Sequence, residues 1–411
     1  MVGIRGVWIH PWDLVDVGLE NVLKELAATG MNSVSLCARY VEERQDWPGP
    51  NILFRNPRRL AYTSEENAFY WNVDENRFAE LPSELRPKVS REVGPVVKEY
   101  VEACKRYGLT CSVWLPILRY ERAVRANPEL GVVDVSGSPA DYKRLFMCPS
   151  NPVVRKFVEL MVEDLVSKHD FQVLELDYIR FPKPPVTHAP PHTLIPLLAC
   201  LCSWCRAEMR KHGIDPDELV SKLRSIGEEV RELLNKHPYS PQGDEDYANA
   251  LFMDFSWRVL GDEVVRRWLA FRSQQISSIV EVVRDKVKEI NPRVELSIDL
   301  YPPSTSWLMG QDYASLGKLV NSVKIMMYTE PFGISPRRIP FEIELAKKLL
   351  PGGVSIVAGL STWPPSTPST IRRDIELALE AGADGLYFYS YGWTPKRNFL
   401  ELGKILRSLR S

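Results

Sequence analysis

Eight short apolar runs, separated by stretches with helical periodicity, limit the fold of this 411-residue chain more than any other feature. They lie at 4–9, 34–37, 110–115, 173–176, 294–298, 323–327, 354–358 and 385–389. Runs this short, bounded by glycine, proline or charged residues, read as buried strands of a parallel sheet. Helical spacing is predicted between them at 19–29, 93–107, 152–168, 255–290, 341–350, 369–381 and 398–409. Gly30 and Gly108 stand where helices should stop, and Pro152 where one should start. Strands alternating with helices through right-handed crossovers close into a (β/α)8 TIM barrel of the α/β class, expected to span 1–411 as one domain. A doubly wound open sheet is the competing architecture, but it seldom carries eight strands in so even a rhythm. No glycine-rich phosphate loop follows any run, since Gly3 and Gly6 belong to the first, and this disfavours nucleotide chemistry. Two segments break the rhythm. Residues 38–92, rich in Trp, Pro and Arg, are expected to form a long active-site loop after strand two. Residues 183–250 hold prolines, a cysteine cluster and a charged helix over 215–235, and read as an inserted subdomain.

The segment Val173-Leu174-Glu175-Leu176-Asp177-Tyr178-Ile179-Arg180-Phe181-Pro182 is an apolar strand that ends in an acid, an aromatic and an arginine. Barrel enzymes keep their chemistry at the carboxyl ends of the strands. Those ends carry Trp8 and His10, Arg39, Trp114, then Asp177, Tyr178 and Arg180, then Asp299 and Tyr301, Tyr328 and Glu330, Trp363, and finally Tyr389 and Trp393. Aromatic faces pack on the C–H faces of sugars while acids and arginines bond the hydroxyls, so this rim suits carbohydrate. Any one of these aromatics alone reads equally well as packing at the barrel mouth; the set carries the inference. Glycosidic hydrolysis needs two carboxyl groups. Asp177 is the candidate nucleophile or base, and the second is Asp299 or Glu330, with Asp299 preferred. Arg180 is expected to keep Asp177 ionised or to bind substrate. The alternative for Asp177 is a salt bridge with Arg180 that caps the barrel. Glu175 shares the strand face of Asp177, and is expected either to raise its pKa by repulsion or to pair with a neighbouring cation.

A formal charge of -1 argues against a nucleic-acid partner, and no apolar run is long enough to span a membrane. Met1 is followed almost at once by a strand-like run, from which no signal peptide and a cytoplasmic location are expected. Abundant charge and scarce Gln hint at a thermophile. A homo-oligomer is compatible with this composition.

Of seven cysteines, Cys200, Cys202 and Cys205 form a C-x-C-x-x-C run. Three thiolates at this spacing suit one face of a tetrahedral ion, with Cys148 as the fourth ligand, which points to structural zinc and no open catalytic position. His188 and His192 are backup ligands. The competing reading is a buried thiol cluster or a disulfide.

Asp177-Tyr178-Ile179-Arg180-Phe181-Pro182 resembles the strand-four signature of a largely uncharacterised group of glycoside-hydrolase-like barrels. Arg5-Gly6-Val7-Trp8-Ile9, Ser297-Ile298-Asp299-Leu300-Tyr301 and Met327-Tyr328 are similar to that group's first, fifth and sixth strands. The resemblance implies a carbohydrate-active barrel with Asp177 central and Asp299 as its partner. Separately, Met147-Cys148-Pro149-Ser150-Asn151-Pro152 with the run at 200–205 resembles the zinc site of family 42 β-galactosidases. That likeness is local, because the glutamates those enzymes carry after strands four and seven have no counterpart here. A glycoside hydrolase is therefore expected. The alternatives are a non-catalytic carbohydrate-binding barrel and a barrel enzyme of another class, such as a deacetylase or metal-dependent lyase.

Overall fold

The computed structural model describes residues 3–41, 44–46, 53–58, 61–65, 67–140, 144–182, 200–237 and 245–409. Eight parallel strands close on themselves: β1 (Ile4–Ile9), β2 (Ser33–Cys37), β3 (Thr110–Pro116), β4 (Val173–Asp177), β5 (Glu295–Leu300), β6 (Ser322–Met327), β7 (Ser355–Ser361) and β8 (Gly385–Tyr389). β8 pairs with β1, so the sheet has no edge, and the chain is a (β/α)8 TIM barrel. An outer layer carries the helices Leu19–Thr29, Val97–Tyr107, Pro152–Lys168, Glu263–Ile290, Arg338–Leu349, Pro368–Glu380 and Lys396–Ser408. Gly30 (φ 105°) and Gly108 (φ 64°) end the first two in the left-handed region open to glycine. Asn151 caps the third, accepting from Val153 N at 2.9 Å.

Two connections differ from the sequence reading. The single helix expected over 255–290 is two, Glu245–Gly261 and Glu263–Ile290, because Asp262 takes an extended conformation and caps the second through Val264 N at 2.9 Å and Val265 N at 3.1 Å. Between β5 and β6 the crossover is only three short turns, Pro303–Ser306, Trp307–Met309 and Tyr313–Leu316, in a stretch punctuated by Pro302, Pro303 and Gly310.

The segment at 38–92 is tied down on two sides. Trp71 Nε1 donates to Asp164 Oδ2 at 2.8 Å on the helix Pro152–Lys168. Asn56 Nδ2 donates to Asp13 and Asp16 beside the β1 exit at 2.8 and 3.0 Å. Residues 183–199, which include His188 and His192, lie outside the described residues. After them come helices Ser203–Lys211, Pro216–Lys236 and Glu245–Gly261, the last two packing against Glu263–Ile290. No helix among the described residues is long and apolar enough to cross a membrane.

The barrel interior is close-packed by pairing small with large side chains. A Cβ on Gly6 would lie 1.9 Å from the Tyr387 ring, so that ring fills the space glycine leaves. At the centre is a buried ion pair, Glu175 on β4 with Lys324 on β6. Glu175 also accepts from Trp8 Nε1 on β1 and from Ser35 Oγ on β2 at 2.5 Å, and the Lys324 ammonium sits 3.5 Å from the centroid of the Tyr387 ring. One carboxylate thereby joins four strands.

Breaking a buried pair from one side leaves an uncompensated charge, at a cost of about 3–5 kcal/mol. Lys324→Met should therefore lower the midpoint of chemical denaturation more than the double substitution Glu175→Gln/Lys324→Met. Equal or smaller loss in the single variant would mean that the pair does not hold the barrel interior.

Candidate functional site

In the pairing of β4 with β5, Leu176 stands beside Ile298. The next residues are Asp177 and Asp299, so the two acids stand side by side at the carboxyl rim. Alternation puts Asp177 on the same face as Glu175, and Asp299 pairs in register with Lys324, so both acids belong to the interior-facing set. They are 8% and 2% exposed. Tyr178 turns the chain at once with φ 52°, a conformation a side-chain-bearing residue adopts at a cost on the order of 1 kcal/mol. That turn brings Tyr178 N to Asp177 Oδ1 at 2.5 Å, while Asp177 Oδ2 accepts from Trp114 Nε1 at 3.1 Å.

Burial raises Asp177 to about 6; the Tyr178 amide, Arg180 and Trp114 pull it back, and Glu175 adds a smaller push upward. Asp299 is pushed well above the carboxylate range, by burial first and then by Glu175 and Asp177, and its Oδ1 has no hydrogen-bond partner. Two neighbouring acids in one dry site do not both ionise readily. Asp299 is the one that keeps its proton; Asp177, with two donors on its oxygens, is the one that loses it.

Above the acids the aromatics gather around Tyr389. Its ring centroid is 5.8 Å from Trp8, 5.9 Å from Trp114, 5.8 Å from Tyr328, 5.5 Å from Trp363 and 5.3 Å from Trp393. His10 is stacked between Trp12 at 4.6 Å and Trp393 at 4.7 Å, and burial lowers it to about 3, so it is a neutral ring in this wall. Arg180, 4% exposed, lies within 5.1 Å of the ring centroids of Phe146, Tyr178 and Tyr301. It forms no ion pair with Asp177.

The remaining expected residues sit elsewhere. Arg39 is fully buried, donates from both terminal nitrogens to the carbonyls of Pro116 and Arg119, and covers the Tyr120 ring, so it braces the β3 exit. Glu330 lies on the short helix Thr329–Phe332 and pairs with Arg373 at 3.0 Å. Sequence reasoning missed Lys324, Trp12 and Arg119, whose Nη1 donates to Tyr178 Oη at 3.1 Å. Lys324 had a signal: a lysine inside the run at 323–327 has to find a buried partner.

The four cysteines also meet. Cys148, Cys200, Cys202 and Cys205 are buried, with sulfurs all within 4.8 Å of one another, and none forms a disulfide. Main-chain amides of Val133, Cys202 and Cys205 donate to these sulfurs at 3.3–3.5 Å. Burial pushes the Cys200 thiol up, whereas hydrogen bonds from its neighbours hold Cys202 far down. Burial lowers Arg272 on Glu263–Ile290 to about 9, and lowers Arg155 as well. A tetrahedral ion with thiolate bonds of about 2.3 Å separates its sulfurs by about 3.8 Å, which these positions fit.

No protein-family model and no curated protein matches the chain. Solved structures with a similar fold include a β-galactosidase from the psychrophilic Marinomonas ef1, with 11% identity and a TM-score of 0.57 over 99% of this chain and 60% of that one. Another is a cold-adapted β-galactosidase from Rahnella sp. R3, at 16% identity and TM-score 0.53 over 100% of this chain and 56% of that one. A third is a catalytic mutant of a GH42 β-galactosidase from G. stearothermophilus, at 12% and 0.56 over 99% and 56%. The chain thus spans less than two thirds of each, and what it shares with them is the barrel fold.

The raised pKa of Asp177 works against stability at neutral pH. Well below 3.8 the acid is protonated in both folded and unfolded chains. As pH rises from 3.8 the unfolded chain releases its proton while the folded one holds it to about 6, and stability falls across that window by about 3 kcal/mol. Asp177→Asn should therefore raise the melting temperature at pH 7 and leave it nearly unchanged at pH 4. A variant less stable at pH 7 would contradict this electrostatic account.

Proposed function

We propose that the protein is a glycoside hydrolase that cleaves an oligo- or polysaccharide through Asp177 and Asp299. The observation that carries this reading is the pair of buried acids at adjacent strand ends, one ionised only above about pH 6 and the other pushed higher still, beneath an aromatic wall centred on Tyr389. Such a pair divides the labour of glycosidic hydrolysis. Asp299 donates its proton to the leaving glycosidic oxygen. The Asp177 carboxylate, oriented by Trp114 Nε1 and Tyr178 N, attacks the anomeric carbon or takes the proton of an attacking water. Trp363, Tyr328 and Trp393 offer faces and edges for the sugar ring; Trp114, Tyr301 and Tyr178 extend that surface toward Arg180, whereas Trp8, bonded to Glu175 in the barrel interior, is a packing residue. His10 contributes a neutral, packed ring. Glu330 is held by Arg373 and is the weaker candidate for the acid. Solved barrels with the same fold include β-galactosidases, which supports this chemistry as a class and leaves the sugar open.

The segment at 183–250 is proposed as a subdomain inserted after β4, stapled to the barrel by zinc on Cys148, Cys200, Cys202 and Cys205. The ion supplies a cross-link and, with four thiolates around it, no open position for catalysis. Arg155 and Arg272, near enough to interact with these cysteines, would offset part of the surplus negative charge of such a centre.

Two experiments test this. Asp177→Asn should lower kcat/KM on any cleaved glycan by roughly 100- to 10,000-fold, and the wild-type profile should fall on the acid side near pH 6. Unchanged turnover in the variant would refute the assignment. Metal analysis should find one zinc per chain, and Cys202→Ser should lower both metal content and melting temperature. Chelation that lowers stability should leave the reaction at the barrel mouth without a metal requirement; activity restored only by added metal would favour a metal-dependent enzyme.

A further inference from the structure

Arg180 is a buried guanidinium with no acid bound to it among the described residues. Among the described residues its one hydrogen bond runs from Nη1 to Phe181 O at 3.2 Å, and its buried Nε has no partner. Both oxygens of the nearby Asp177 are taken by other donors, Trp114 Nε1 and Tyr178 N. The other arginines around the mouth are spent: Arg39 on main-chain carbonyls, Arg119 on Glu121. A buried charge is costly unless paired. The rings of Phe146, Tyr178 and Tyr301 lie 4.9–5.1 Å from the guanidinium carbon, and no hydrogen bond within the described residues uses the Nε/Nη2 edge, the edge whose two parallel N–H bonds match a carboxylate.

From this we infer that the substrate is an acidic saccharide, with the carboxylate of a uronic acid held on the Nε/Nη2 edge of Arg180 beside the reacting acids. The inference rests on the hydrolase reading above and narrows it to a sugar class. A neutral sugar would leave the fork without a hydrogen-bonded anion, so the site would discriminate at C6.

The test uses wild-type protein, Arg180→Met and Arg180→Lys with p-nitrophenyl glycosides that differ only at C6: glucuronide against glucoside and galacturonide against galactoside, in both anomers, with a 6-sulfated glucoside. The wild type should prefer a uronoside, and the uronoside-to-neutral ratio of kcat/KM should fall about 10- to 100-fold in Arg180→Met. Arg180→Lys, which keeps charge but loses the fork, should recover only part of it. Neutral or sulfated glycosides cleaved at least as well by the wild type, or a ratio unmoved by Arg180→Met, would overturn the inference and leave Arg180 acting through Asp177 alone. If neither these glycosides nor oligo- and polysaccharides are cleaved, the hydrolase reading fails by itself. Calorimetric titration with digalacturonate and with a neutral digalactose then decides: uronate binding weakened about 10- to 100-fold by Arg180→Met upholds the acidic ligand, and binding of neither or of both alike overturns it.

Discussion

The carboxylate of Glu175 is the contact on which the rest of the barrel turns. It receives Trp8 from β1, Ser35 from β2 and Lys324 from β6 while itself belonging to β4, so opposite walls are fixed to one point. A closed sheet with an apolar interior tolerates a charge only when that charge is fully paired. Here the pairing also has a chemical consequence. Asp177 lies two residues further along the same strand and Asp299 stands in register with Lys324, so the pair forms the floor of the rim acids. The same carboxylate that anchors the barrel contributes to raising both.

Burial does the larger part of that work. Asp177 escapes it partly, through two donors and the field of Arg180, whereas the Asp299 oxygen Oδ1 meets none. Two chemically identical side chains on adjacent strands thus come to hold their protons differently. The aromatic wall keeps the surroundings dry enough for that difference to persist, and in the proposed reading it would accommodate the non-reacting faces of a sugar ring. The four cysteines come from the turn before the helix Pro152–Lys168 and from the chain after residue 199. A metal held there would join those two stretches of chain.

The barrel was legible in the sequence because buried parallel strands are nearly continuous apolar runs, and all eight runs correspond to strands. Gly30 and Gly108 marked helix ends for the reason they occur there, a left-handed backbone. The break at Asp262 was not legible, since amphipathic spacing continues across it and only the cap reveals two helices. The strand-end acids could be named from position alone. Their side-by-side placement came from the β4–β5 register, which no local pattern specifies. Arg39 and Arg180 look equivalent in sequence, as arginines just past strand ends. Packing separates them, because carbonyls of the β3 exit consume one and aromatic rings surround the other. Lys324 was hidden by the apolar run around it, although the charge itself implied a distant partner.

The most direct measurement of the central claim is a crystal structure of Asp177→Asn soaked with oligosaccharides of several classes. The account predicts a pyranose ring against the Tyr389 wall, with its anomeric carbon between the side chain at position 177 and the Asp299 carboxyl. Sugar bound away from this rim, or bound there with neither side chain facing the glycosidic bond, would contradict it.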